Sequence, residues 1–224
     1  MPDGRARPVD SKTRHVLLRA ISLSLVAATV ALLLFGWLAE EVLEAGTMRF
    51  DSSVRAAVHQ YASPARTPFM RGITVLGSME VLLPAVLIVL TFLLVRGKRY
   101  EAIVLAVTMA GGLILNMVLK LSFHRARPDP FFNLTTPTSY AFPSGHALLA
   151  LCCYGVIARI WSDSLRSARR RWMVWVAAVF LIGLIGLSRI YLGVHYPSDV
   201  LAGYAAAIVW VSAVTMLVRR RKEL

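Results

Sequence analysis

Apolar residues along this chain gather into long runs separated by short polar stretches. Five runs, at 20–39, 102–120, 144–161, 172–189 and 198–218, are uninterrupted enough to read as membrane helices. Each approaches the roughly 20 residues that a helix needs to cross a bilayer. A sixth run, about 72–95, is less regular, because Glu80 and Pro84 interrupt it and its strictly apolar part is Val81 to Val95. A charge at bilayer depth costs about 2.5–3.5 kcal/mol, so Glu80 is expected to face protein or headgroups; the sequence leaves its role open. Between the first two runs, Phe50, Val54, Ala57, Val58 and Tyr61 recur at helical spacing opposite Ser52, Arg55 and His59. That pattern suits an amphipathic helix over 47–61 lying in the membrane interface, although a loop covering the span ends fits it equally well. The predicted fold is therefore all-α: a polytopic membrane protein with six transmembrane helices and an interfacial helix between the first two.

Composition agrees. Apolar residues make up 57% of the 224 and charged residues 17%, which excludes a disordered chain. A mean hydropathy of +0.63 argues against a water-soluble globule. The formal charge of +13 would suggest nucleic acid in a soluble protein, but here the basic residues sit in short clusters between apolar runs. No nucleic-acid partner is expected. With the N-terminus inside, 17 of the 25 Lys and Arg fall on the inner side, so both termini are expected to be cytoplasmic. The first run exceeds the 7–15 apolar residues of a signal peptide core and no small-residue cleavage site follows it, so it reads as a retained span. The implied organisation is a basic tail at 1–15, a six-helix membrane domain at 16–218 and a second basic tail at 219–224. The strongly basic, compact chain looks bacterial, which would place it in the inner (plasma) membrane. Cys152 and Cys153, adjacent in an apolar run, support neither a disulfide framework nor a zinc site and read as small core residues. The five tryptophans, Trp37, Trp161, Trp172, Trp175 and Trp210, read as interfacial belt residues.

The chemistry lies at helix ends. Lys120 closes the third span and is followed by Arg125-Ala126-Arg127-Pro128; Pro143-Ser144-Gly145-His146 opens the fourth. Ser188-Arg189 closes the fifth, and His195-Tyr196-Pro197-Ser198-Asp199 opens the sixth. Consecutive spans run in opposite directions, so these four ends share one membrane face, the outer one. Arginine forks and a lysine point charge suit phosphate oxygens, which makes Lys120, Arg127 and Arg189 candidate phosphate ligands. Ser144 and Gly145 stand where unpaired helix-start N–H groups favour an anion. Asp199 lies one helical turn after His195 and can orient its ring, leaving the other nitrogen free to attack phosphorus. His146 can then protonate the leaving oxygen. Arg125 and His124 read as solvated loop, His59 and Asp51 as interfacial surface.

The spacings Lys-x6-Arg-Pro, Pro-Ser-Gly-His and Ser-Arg-x5-His-x3-Asp resemble the three signature motifs of the type 2 phosphatidic acid phosphatase family, membrane relatives of the vanadium haloperoxidases. The resemblance covers 120–199 and extends to the six-helix pattern. It implies His195 as a nucleophile forming a phosphohistidine, Asp199 as its orienting partner and His146 as general acid. It also implies Lys120, Arg127, Ser144, Gly145 and Arg189 as phosphate ligands, with no metal and no cofactor. The expected function is hydrolysis of the terminal phosphate of a lipid phosphate or diphosphate, with undecaprenyl diphosphate slightly preferred over phosphatidylglycerol phosphate and phosphatidic acid. A lipid transporter or scramblase is the non-enzymatic alternative, and a vanadate-dependent haloperoxidase a third.

Overall fold

The structure is a computed structural model and describes residues 11–135 and 137–223. Its described residues are helical or irregular. In chain order the elements are α1 (Ser11–Leu43), α2 (Met48–His59), α3 (Arg66–Val75), α4 (Met79–Val95), α5 (Arg99–Phe123), α6 (Gly145–Ala150), a π-helical turn (Leu151–Gly155), α7 (Val156–Ser164), α8 (Ala168–Tyr191) and α9 (Pro197–Glu223). Five stretches are long and apolar enough to span a membrane: 24–43, 99–123, 145–164, 168–191 and 197–218. The α6, π-turn and α7 segments together form the third of these.

The less regular run at 72–95 is not one continuous helix. It is split into α3 and α4, which meet at 47° across Leu76-Gly77-Ser78. Neither Glu80 nor Pro84 makes the break: both lie within α4, Glu80 in its first turn. The break falls where Gly77 must pass close to other helices, since a Cβ there would meet Ile185 at 2.5 Å and His146 at 3.2 Å. Ser78 then restarts the helix from an extended conformation (ψ 158°), as residues at helix N-caps do. Tyr154 holds the elbow by donating its hydroxyl hydrogen bond to the Leu76 carbonyl at 2.7 Å.

The tails are also more regular than expected. Helix α1 begins at Ser11, inside the stretch read as a tail, and α9 continues through the terminal basic cluster to Glu223. Lys and Arg are good helix formers, and adding residues to an existing helix costs far less than nucleating one. Residues 1–10 lie outside the described residues.

Helices α4, α5, α6 and α9 pack around one apolar core that includes Leu82, Leu93, Leu105, Leu148, Cys152 and Ala207, while α1 lies along α9. Both cysteines are free and buried there. Trp210 is not a belt residue: it sits mid-helix on α9, donates to the Thr108 carbonyl at 3.0 Å and occupies the room left by Gly111 of α5. Close approach at a small residue is how membrane helices gain contact when lipid is as apolar as their own side chains. Large apolar side chains such as Val26, Leu33, Ile88, Val95 and Phe180 are exposed on the outside, an arrangement that water would penalise and a bilayer accommodates.

Candidate active site

The four polar clusters converge at one end of the bundle. Lys120 is in the last turn of α5, whose helix stops at His124 in the left-handed conformation (φ 46°). That reversal turns the chain back over the bundle, carrying Arg127 toward α9. Ser144 precedes α6 in an extended conformation, and Gly145 and His146 begin that helix. Arg189 is in the last turn of α8, and Asp199 is in the first turn of α9, which Pro197 starts. Gly193 makes the turn between α8 and His195, with φ +76° and the backbone of Phe131 so near that a Cβ would meet its nitrogen at 2.6 Å.

His195 is the centre of the arrangement and only 1% exposed. Its Nδ1 is 3.2 Å from Asp199 Oδ2, and its Nε2 is 3.0 Å from a guanidinium nitrogen of Arg127. A guanidinium has no lone pair to accept with, so Nε2 is the acceptor and Nδ1 carries the proton it donates to Asp199. The tautomer is thereby set, and the Nε2 lone pair points at Arg127. Burial and the positive charges of Arg127, Arg189 and Lys120 hold the imidazole well below its ordinary value of 6.5. His195 is therefore neutral at physiological pH, which a nitrogen nucleophile requires.

The cations are anchored by groups outside themselves. Lys120 Nζ donates to the Tyr140 carbonyl, Arg127 donates to the Ser139 and Val194 carbonyls at 2.6 and 2.8 Å, and Arg189 donates to Thr74 Oγ1 at 2.7 Å. Lys120, Arg127 and Arg189 are close enough to repel one another, and a bound anion would relieve that repulsion. Ser144 Oγ and Arg189 Nε are buried without a hydrogen-bond partner among the described residues, a situation phosphate oxygens would resolve. The Ser144 backbone is pinned by its N–H to the Asp199 carbonyl at 2.9 Å. Gly145 lies against Asn116, whose side-chain amide a Cβ would meet at 3.1 Å, a tight contact that a larger residue would have to push aside. His146 is in electrostatic reach of Arg189, His195 and Arg127, and also of Glu80. All eight residues anticipated from the motifs thus gather at one place.

Two expectations about neighbouring residues fail. Arg125 is not solvated loop and Asp51 is not interfacial surface: Asp51 is fully buried, and Arg125 bonds Asp51 at 2.7 Å and Asp199 at 2.5 Å. Helix α2 rests on the site loops, so the acid on its inner face is covered. His59 remains exposed but stacks on Phe131 with ring centroids 3.9 Å apart. Thr74, Ser139 and Tyr140 were also not anticipated. They act as anchors through a hydroxyl or a backbone carbonyl, and no residue pattern marks such a role.

Comparison with known proteins gives the family. Residues 101–223 match the family model described as the PAP2 superfamily. Phosphatidylglycerophosphatase B of Bacillus subtilis is 34% identical over 159 residues, 70% of this chain and 78% of that protein. Undecaprenyl-diphosphatase of Sulfolobus acidocaldarius is 30% identical over 61% of this chain and 62% of its own length. The crystal structure of a transmembrane PAP2-type phosphatidylglycerolphosphate phosphatase from Bacillus subtilis superposes with a TM-score of 0.76 at 31% identity, covering 88% of this chain and 96% of that one. With the family model spanning more than half of the residues and a relative aligned over most of both lengths, the chain belongs to the PAP2 superfamily and is a multi-pass membrane lipid phosphatase.

Proposed function

We propose that this lipid phosphatase works through a covalent phosphohistidine on His195 and releases inorganic phosphate from a lipid at the outer leaflet. The observation that carries this reading is the ring of His195, held between Asp199 on Nδ1 and Arg127 on Nε2. When a phosphate enters, its oxygens take over Arg127, and Nε2 faces phosphorus. The P–N bond forms as the bond to the leaving oxygen breaks, and that oxygen takes a proton from His146 in the imidazolium form that the negative charge of the bound phosphate favours. Water then gives its proton to His146 and attacks phosphorus, the P–N bond breaks, and His195 is regenerated with phosphate released.

Charge stabilisation does most of the work. Phosphate monoester hydrolysis can require rate enhancements approaching about 10²¹, and preorganised cations in a site screened from water are worth far more than in solution. Lys120, Arg127 and Arg189, with the N–H groups at the start of α6, supply that stabilisation. The reaction needs no metal on this reading, because the three cations supply the charge that a metal ion would otherwise bring. Activity is expected to survive EDTA, and a loss that Mg²⁺ restores would contradict the mechanism.

The substrate we favour is phosphatidylglycerol phosphate. Similarity to the Bacillus phosphatidylglycerophosphatase, in sequence and in the coverage of its solved counterpart, supports this choice over the undecaprenyl diphosphate preferred from the sequence. Undecaprenyl diphosphate remains the second reading, supported by the Sulfolobus relative. Phosphate release from matched liposomes carrying phosphatidylglycerol phosphate, undecaprenyl diphosphate or phosphatidic acid tests the choice. The expected result is the highest kcat/KM on phosphatidylglycerol phosphate; at least tenfold faster turnover of the diphosphate would reverse it.

A further inference from the structure

Behind the His195–Asp199 pair lies a second, buried layer of charge that the mechanism above does not use. The two carboxylate oxygens of Asp199 have separate tasks. Oδ2 faces His195 Nδ1 and accepts the Tyr196 N–H at 2.9 Å, whereas Oδ1 accepts from Arg125 at 2.5 Å. The other arm of the Arg125 guanidinium donates to Asp51 Oδ2 at 2.7 Å and to Thr47 Oγ1 at 3.1 Å. Ser198 closes the circuit: its hydroxyl donates to Asp51 Oδ2 at 2.7 Å and accepts from Arg125 at 2.8 Å, and its N–H donates to Asp51 Oδ1 at 2.9 Å. The Tyr196 ring covers the guanidinium, 4.3 Å from its centre. Asp51, Asp199 and Ser198 are fully buried.

We propose that Arg125 and Asp51 are positioning residues for the nucleophile: Arg125 keeps Asp199 charged and aimed at His195, and Asp51 on α2 holds Arg125 in place. This rests on His195 acting as nucleophile. A carboxylate buried without a cation takes up a proton, and a protonated Asp199 would no longer accept from Nδ1, which would free the imidazole to adopt the wrong tautomer. Arg125 alone could swing toward either acid. With one arm on each carboxylate, the guanidinium has a single orientation, and it locks the rotation of the Asp199 carboxylate that decides which oxygen meets His195. Removing Asp51 leaves Asp199 paired but loosely aimed. The helix between the first two spans, far from the motifs in sequence, thereby controls the attacking ring.

The test is Asp51→Asn, nearly isosteric, in purified full-length protein with a lipid phosphate that the wild type hydrolyses. Partners that orient a reacting group from behind typically matter by about 10–100-fold, so kcat and the rate of phosphoenzyme formation should fall together by that factor, with KM within about threefold of wild type. Arg125→Lys should show a similar loss, because an ammonium cannot bridge the two acids as a planar fork does. Asp51→Glu should recover part of the rate. A wild-type kcat in Asp51→Asn, or a change confined to KM, overturns the proposal. If Asp51→Asn does not fold, Ser198→Ala serves instead: it keeps every charge, should lower kcat about three- to tenfold, and overturns the proposal if kcat is unchanged. His195→Ala separates the two readings. Unimpaired hydrolysis in that variant would sink the nucleophile assignment itself, whereas an inert His195→Ala beside a wild-type Asp51→Asn would sink only the positioning role.

Discussion

Replacing His195 with alanine is expected to reduce phosphate release by about 10⁴-fold or more, the scale seen when a nucleophile or its base is removed from a covalent mechanism. The expectation follows from the geometry around one ring. His195 is almost entirely buried, neutral, and held with Nε2 against Arg127, in electrostatic reach of Arg189 and Lys120, which makes it the group presented for attack. His146 could activate water directly, but the remaining histidine would then have to both deprotonate the water and protonate the leaving oxygen. Cations and helix-start N–H groups would still bind the lipid, so KM should change much less than kcat. Steady-state phosphate release in liposomes checks this, with a melting curve to show that the variant is folded. Retention of even a tenth of wild-type kcat would contradict the assignment.

Asp199→Asn should be nearly as damaging, at about 10³–10⁴-fold in kcat, for a different reason. The asparagine has nearly the same shape, yet it can offer its NH₂ to Nδ1, and the imidazole then places its proton on Nε2, where the lone pair is needed. The substitution also removes the partner of one arm of Arg125, leaving a guanidinium buried beside a neutral amide. Two outcomes are therefore expected together: loss of phosphoenzyme formation and a lower melting temperature. Wild-type turnover in this variant would show that the tautomer of His195 is not set by Asp199.

The separation between what the sequence reveals and what it hides has a physical basis. Apolar runs of about 20 residues announce membrane helices whatever they pack against, so the count and order of spans were legible. The gathering of the motif residues was legible too, because antiparallel spans put alternate ends on one face and because each motif carries its residues within a few positions. The α3–α4 elbow was obscured by its own apolar flanks, although Gly77-Ser78 is a composition that stops one helix and starts another. Asp51 and Arg125 were misread because each looks like surface within its own segment. Their burial comes from pairing across 74 positions, and periodicity carries no information about that. Trp210 was misplaced for a related reason: a tryptophan in a span was read as belt, whereas this one is drawn into the packing by the space above Gly111.

The proposed mechanism turns on a covalent bond between phosphorus and one ring nitrogen. Rapid quenching of the wild-type enzyme with a ³²P-labelled lipid phosphate, followed by peptide mapping under alkaline conditions that preserve phosphoramidates, measures it directly. The result predicted here is acid-labile label on the peptide containing His195, appearing and decaying at rates fast enough to account for turnover. Label on another residue, or turnover with no trapped phosphoenzyme and inverted configuration at a chiral phosphorus, would contradict it.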